Sequence, residues 1–114
     1  MKEIKNEFQC SVPADSEVTI TITFGDGQIG TTFLRTPGGH YVNGEVTDID
    51  LGKGNTLTGK KMLITSTVTK ANPQTDFASI TYSLNKDVSC EQIYSEKFDD
   101  GEDNIRYVTT LKFT

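Results

Sequence analysis

The sequence predicts an all-β fold, a two-sheet antiparallel β-sandwich, with a small closed β-barrel as the alternative. Three observations predict it. Short segments alternate apolar and polar residues with a period of two, the pattern of strands that bury one face. Threonine fills many of the polar positions, and no helical period is long enough to matter. Glycine and other turn residues recur between the segments, which separates about eight or nine strands. At 114 residues and 12.6 kDa the chain is one domain, 1–114, long enough for a real core without metals or disulfides.

From the N-terminus, Ile4, Phe8, Cys10 and Val12 share one parity, with Asn6 the exception, so Ile4 to Val12 reads as a strand ended by Pro13-Ala14-Asp15-Ser16. Val18 to Phe24 alternates apolar residues and threonine without error. Gly25-Asp26-Gly27 signals a tight turn, so Gln28 to Arg35 is expected to return beside that strand as a hairpin. Thr36 to Gly44 is glycine-rich and is expected to arch from one sheet to the other, with Tyr41 and Val42 plugging the core. Glu45 to Leu51 resumes a strand, with Asp48 and Asp50 pointing away from the side of Ile49 and Leu51. Gly52 to Lys61 follows as a loop.

Met62 to Leu84 contains two alternating segments and the seven-residue connection Lys70 to Asp76, whose Asn72-Pro73 can continue neither strand. Pairing Val68 with Ala78, Ile64 with Tyr82 and Met62 with Leu84 puts both apolar sets on one side, so an antiparallel hairpin is expected, with Ser66 the one polar residue among them. Asn85-Lys86-Asp87 turns the chain into a strand over Val88 to Tyr94. The acidic run Glu96 to Asp103 turns at Asp100-Gly101, and Ile105, Tyr107, Leu111 and Phe113 alternate to the end. Jelly-roll, Greek-key and C2-like connectivities all accommodate this series.

A net charge of -5 argues against a nucleic-acid partner, because binding phosphates calls for a clustered basic surface. No apolar window approaches a membrane span, and with Met1 as the natural start the expected location is the cytoplasm, with Cys10 and Cys90 as two reduced, buried thiols. A disulfide between them is the alternative for an exported chain. Gly54 to Lys60 reads G-x-x-x-x-G-K, yet Lys61 stands where a phosphate loop needs Ser or Thr and a strand follows where it needs a helix, so the match is a coincidence.

The acidic groups Asp48 and Asp50, with Asp99, Asp100 and Asp103, would hold calcium if they converged at one end of a sandwich. Calcium-binding C2 domains use loop aspartates in a similar way, although the twelve-residue calcium loop with fixed ligand spacing is absent. His40 is the only histidine and no nucleophile sits in a recognisable elbow, so no catalytic residue and no cofactor is implied; a small hydrolase, the further alternative, would need His40 beside a Ser or Cys and a carboxylate in a concave site. The expected function is non-enzymatic: a protein-interaction or assembly module that uses a sheet face, a strand edge or end loops, with a protein partner or self-association. The candidate binding residues are Asn72, Gln74 and Asp76 at the loop tip, with His40 and Tyr41. Two threonine faces, Thr19/Thr21/Thr23 and Thr65/Thr67/Thr69, read as solvated sheet surface.

Overall fold

A computed structural model describes residues 1–114. The strands are β1 (Lys2–Cys10), β2 (Glu17–Phe24), β3 (Ile29–Arg35), β4 (Tyr41–Gly44), β5 (Val46–Lys53), β6 (Lys61–Thr69), β7 (Phe77–Leu84), β8 (Glu91–Lys97) and β9 (Asn104–Phe113), with one helical turn, α1 (Gly54–Leu57), before β6. They form a five-stranded sheet, β1-β9-β6-β3-β4, packed on a four-stranded sheet, β5-β2-β7-β8. The result is a sandwich and not a closed barrel. All ladders are antiparallel except β1 with β9, which run parallel, a pairing that needs the long intervening connection the rest of the chain supplies.

The alternation seen in the sequence orients the long strands except β5, where an irregularity at Asp48 lets Val46 and Leu51, of opposite parity, both face inward. Between the layers, 21 buried apolar residues form one cluster. Strand pairing differs from expectation in three places. β6 pairs with β3 and β9, whereas β7 pairs with β2 and β8, so Met62 to Leu84 is an arch between layers and not a hairpin. Parity does not distinguish the two, since a strand facing the core from either layer shows the same alternation. Seven residues are long for a hairpin but suffice to cross the ~10 Å between sheets. β2 and β3 also lie in different layers. There Asp26 and Gly27 have successive positive φ values of 60° and 74°, and the turn carries the chain across the core edge instead of back along β2.

Thr36 to His40 is a hairpin loop within one sheet, because β3 and β4 pair directly. The expected crossing occurs later, at Gly44–Glu45. Val42 packs against the core as expected, but Tyr41 is exposed and plugs nothing.

Gln28 explains how the two arches are held together. It is buried, and its Nε2 donates to Phe77 O at 3.0 Å while its Oε1 accepts from Ala71 N at 2.8 Å and Asn72 N at 2.9 Å. The buried hydroxyls are paired as well. Ser66 meets Thr32 at 2.7 Å, which accounts for the polar interruption in β6. Asn6, the matching interruption in β1, has a buried Nδ2 with no hydrogen-bond acceptor.

The open side between β1 and β8 is closed by three contacts. The Lys2 ammonium reaches Glu96 and Asp99, each at 3.2 Å, and these carboxylates raise its pKa. Phe8 packs with Tyr82 and Tyr94, ring centroids 5.5 and 6.4 Å away. Cys10 and Cys90 form a disulfide, which replaces the two reduced thiols expected by default.

Candidate binding surface

The sequence-derived candidates do not come together. Asn72 and Gln74 lie on the β6–β7 arch, where Asn72 is already committed: its Nδ2 donates to Asp26 O at 2.9 Å and its Oδ1 accepts from Gln74 N at 3.0 Å. Asp76 pairs with Lys70 at 2.8 Å, and this hydrogen bond holds its carboxyl below the usual range. His40 and Tyr41 sit at the opposite end of the strands, beside the β3–β4 loop, where His40 N donates to Thr36 Oγ1 at 3.0 Å. The tip and the His40 loop are therefore separate places on the molecule.

The two acidic groups are separate as well. Asp48 and Asp50 belong to β5, one edge of the four-stranded sheet, whereas Asp99, Asp100 and Asp103 follow β8, the other edge. Three strand spacings, ~14 Å, divide those edges. Asp48 is also occupied locally, with φ 48° at an irregularity of the β2–β5 ladder, its N–H donating to Thr21 Oγ1 at 3.0 Å. Asp50 Oδ1 accepts from Gly52 N at 2.9 Å. No three His, Cys, Asp or Glu side chains are placed to hold a metal. In the G-x-x-x-x-G-K string the helical turn precedes the Gly-Lys pair, and Gly59 N donates to Phe113 O, so the loop offers no cradle of free amides.

A different surface is assembled by the fold. Ladder registers place Asn43, Phe33, Thr65, Val108 and Lys5 in one row across the outer face of the five-stranded sheet. Tyr41 lies opposite Arg35, and Lys61 opposite Lys112, in neighbouring rows. Ile29, Phe33, Tyr41 and Leu63, four of the seven large apolar residues left exposed, are on this face. The Phe33 and Tyr41 rings are 6.0 Å apart and tilted by 30°, and the Arg35 guanidinium lies 5.7 Å from the Tyr41 centroid. Such a cation–π contact holds the guanidinium against the ring without neutralising it.

Charge is segregated with it. Lys5, Arg35, Lys60, Lys61, Arg106 and Lys112 sit on this face or at its end, six of the eleven Lys and Arg, against only Glu3 and Glu7 of the sixteen acids. Lys112 pairs with Glu7, and this contact lowers the Glu7 pKa. Of these six cations, only Lys112 has a carboxylate within salt-bridge distance. Where the face ends, an open groove of about 440 Å3 is lined by Arg35, Lys60 and Lys61 together with Pro37 and Leu63.

The outer face of the other sheet is different in kind. Thr21 opposes Ser83, Thr23 opposes Thr81 and Ser79 opposes Ser95, a hydroxyl surface bordered by the acids Glu17, Asp50 and Glu91 and the cations Lys53 and Lys97, with Phe77 and Ile93 exposed on it. The two threonine sets thus lie on opposite outer faces of the sandwich. No helix is long and apolar enough to cross a membrane. The chain matches no family model, no curated protein and no solved structure.

Proposed function

We propose that the protein is a non-enzymatic binding module whose working surface is the outer face of the five-stranded sheet, and whose partner is a protein with an acidic, partly apolar surface. The observation that carries this reading is the gathering of six cations around exposed Phe33, Tyr41 and Leu63 on a chain of net charge -5. Aromatic residues and Arg are the side chains that most often anchor interfaces, and a charge pattern opposite to the rest of the molecule orients an incoming acidic partner. A molecule 46 Å long and 23 Å wide gives such a face room for the ~800 Å2 that a standard interface buries on each side. A long polyanion fits less well, because beyond this face it would run along strongly acidic surface. The Cys10–Cys90 bond supports an oxidising compartment as the place of work.

Titrating the isotopically labelled protein with poly-L-glutamate, and separately with a single-stranded oligonucleotide of matched charge, tests this reading. Poly-L-glutamate is expected to shift amide resonances of β3, β4 and β6, and Phe33→Ala with Tyr41→Ala to weaken its binding at least about tenfold with no change in melting temperature. Shifts confined to the other sheet, no shifts, or tighter binding of the oligonucleotide would overturn it.

A further inference from the structure

We propose that the acidic surface recognised by this face is the far end of a second copy of the chain, so that molecules join head to tail. This inference rests on the sheet-face reading and adds the partner to it. The receiving element is the groove at the end of the face. Arg35, Lys60 and Lys61 are exposed there with no carboxylate partner, and Pro37 and Leu63 add apolar wall. Of the nearby acids, Glu7 is already engaged by Lys112, while Asp15 and Glu17 precede or open β2 in the other layer.

The entering element is the loop between β8 and β9. In the β6–β9 ladder Asn104 lies opposite Thr69 and Lys112 opposite Lys61. The loop therefore leaves one end of β9 and the groove lies at the other, ~30 Å away by strand rise, on a molecule measuring 46 × 23 × 20 Å. Asp99, Asp100 and Asp103 are exposed, and Asp100 and Asp103 have no cationic partner. The loop is held in shape by Glu102 N donating to Asp99 O at 2.9 Å, by Lys70 N donating to Asp103 O at 2.8 Å, and by the Lys2–Asp99 contact. Docking a loop already so constrained costs little ordering entropy.

Symmetry decides between the ways two copies could meet. Pairing groove with groove about a two-fold axis would oppose their cations, which costs free energy. Joining the groove of one copy to the acidic loop of the next opposes unlike charges. A single contact leaves one groove and one loop free, so head-to-tail joining propagates into rings or filaments, whereas a two-fold axis that seats each loop in the other's groove closes a dimer. Assemblies larger than a dimer are expected, and a limiting dimer would overturn head-to-tail joining.

Two neutralising variants test the arrangement by sedimentation and light scattering. One replaces the groove cations (Arg35→Gln, Lys60→Gln, Lys61→Gln) and the other the loop carboxylates (Asp100→Asn, Asp103→Asn). The unsubstituted protein is expected to form concentration-dependent assemblies at ~0.01 M salt that dissociate by ~0.5 M, as the Debye length shrinks. Each variant alone is expected to remain monomeric with an unchanged melting temperature, and an equimolar mixture to give a one-to-one dimer and nothing larger, because each supplies the surface the other lacks.

An unsubstituted protein that stays monomeric at low salt, a variant that assembles normally, or a mixture that stays monomeric would overturn the proposal. Should poly-L-glutamate still shift β3, β4 and β6 in that event, the sheet-face reading would stand without self-association. Loss of both responses would remove both.

Discussion

At the level of single residues, the β6–β7 tip changes meaning once its hydrogen bonds are traced. Asn72 reads as an exposed recognition residue in a loop, but its amide spans two arches and its own backbone N–H is taken by Gln28. Gln28 is the residue on which both arches depend. Replacing it with leucine keeps the bulk of the side chain but leaves the N–H groups of Ala71 and Asn72 and the carbonyl of Phe77 without their partner in a part-buried place. Unsatisfied buried groups cost about 1–3 kcal/mol each and part-buried ones less, so Gln28→Leu is expected to lower unfolding stability by about 1–2 kcal/mol in a urea titration. Gln74→Ala, by contrast, removes an exposed side chain with no hydrogen bond of its own and is expected to stay within about 0.5 kcal/mol of the parent. Equal effects from the two would deny the pinning role of Gln28.

Among the elements, most strands were legible in the sequence and their partners were not. Period-two alternation located β2, β6, β7 and β9 because each buries one complete face, but burial of a face does not say which layer supplies it. Both hairpin expectations failed at β-arches for that reason, while the length of the Lys70–Asp76 connection was the available warning. The candidate surface was hidden by the same fact. Its cations are scattered from Lys5 to Lys112, and only the strand order β1-β9-β6-β3-β4 makes them neighbours. The pairing of Cys10 with Cys90 was likewise open until β1 and β8 proved to be facing edges of the two sheets. That bond closes a loop with a sequence separation of 80, for which the chain-entropy argument gives a stabilisation of about 4.5 kcal/mol. A Cys10→Ser, Cys90→Ser protein is expected to lose about 2–5 kcal/mol. Amide exchange should accelerate first in the edge strands β1 and β8 and last in β6, which is central to its sheet. Uniform acceleration across all strands would show that the bond does not act as a local seam.

For the molecule as a whole, the two layers are joined through the core by a pair of phenols. Tyr82 of the four-stranded sheet meets Thr109 of the other at 2.7 Å, and Tyr107 of the five-stranded sheet donates to Ala78 O of the opposite one at 2.9 Å. Both tyrosines are fully buried. Burial raises both pKa values from the ordinary 10.0, that of Tyr107 to about 12 and that of Tyr82 further, because a phenolate has no solvation there. An unfolded chain releases these protons near pH 10, whereas the folded chain keeps them. Stability from the neutral phenols is therefore complete below pH ~10 and declines above it until the folded groups ionise, at up to about 1.4 kcal/mol per pH unit for each. Phenolate absorbance from these two residues should rise together with loss of circular dichroism, in one alkaline transition. Replacing one bridge by apolar groups of similar shape, Tyr82→Phe with Thr109→Val, leaves no orphaned hydroxyl and is expected to cost little near neutral pH. It removes one of the two linked ionisations, so the alkaline midpoint should move upward. A midpoint that stays put, or phenolate absorbance that appears while the dichroism is intact, would mean that the layers are not held by these buried phenols.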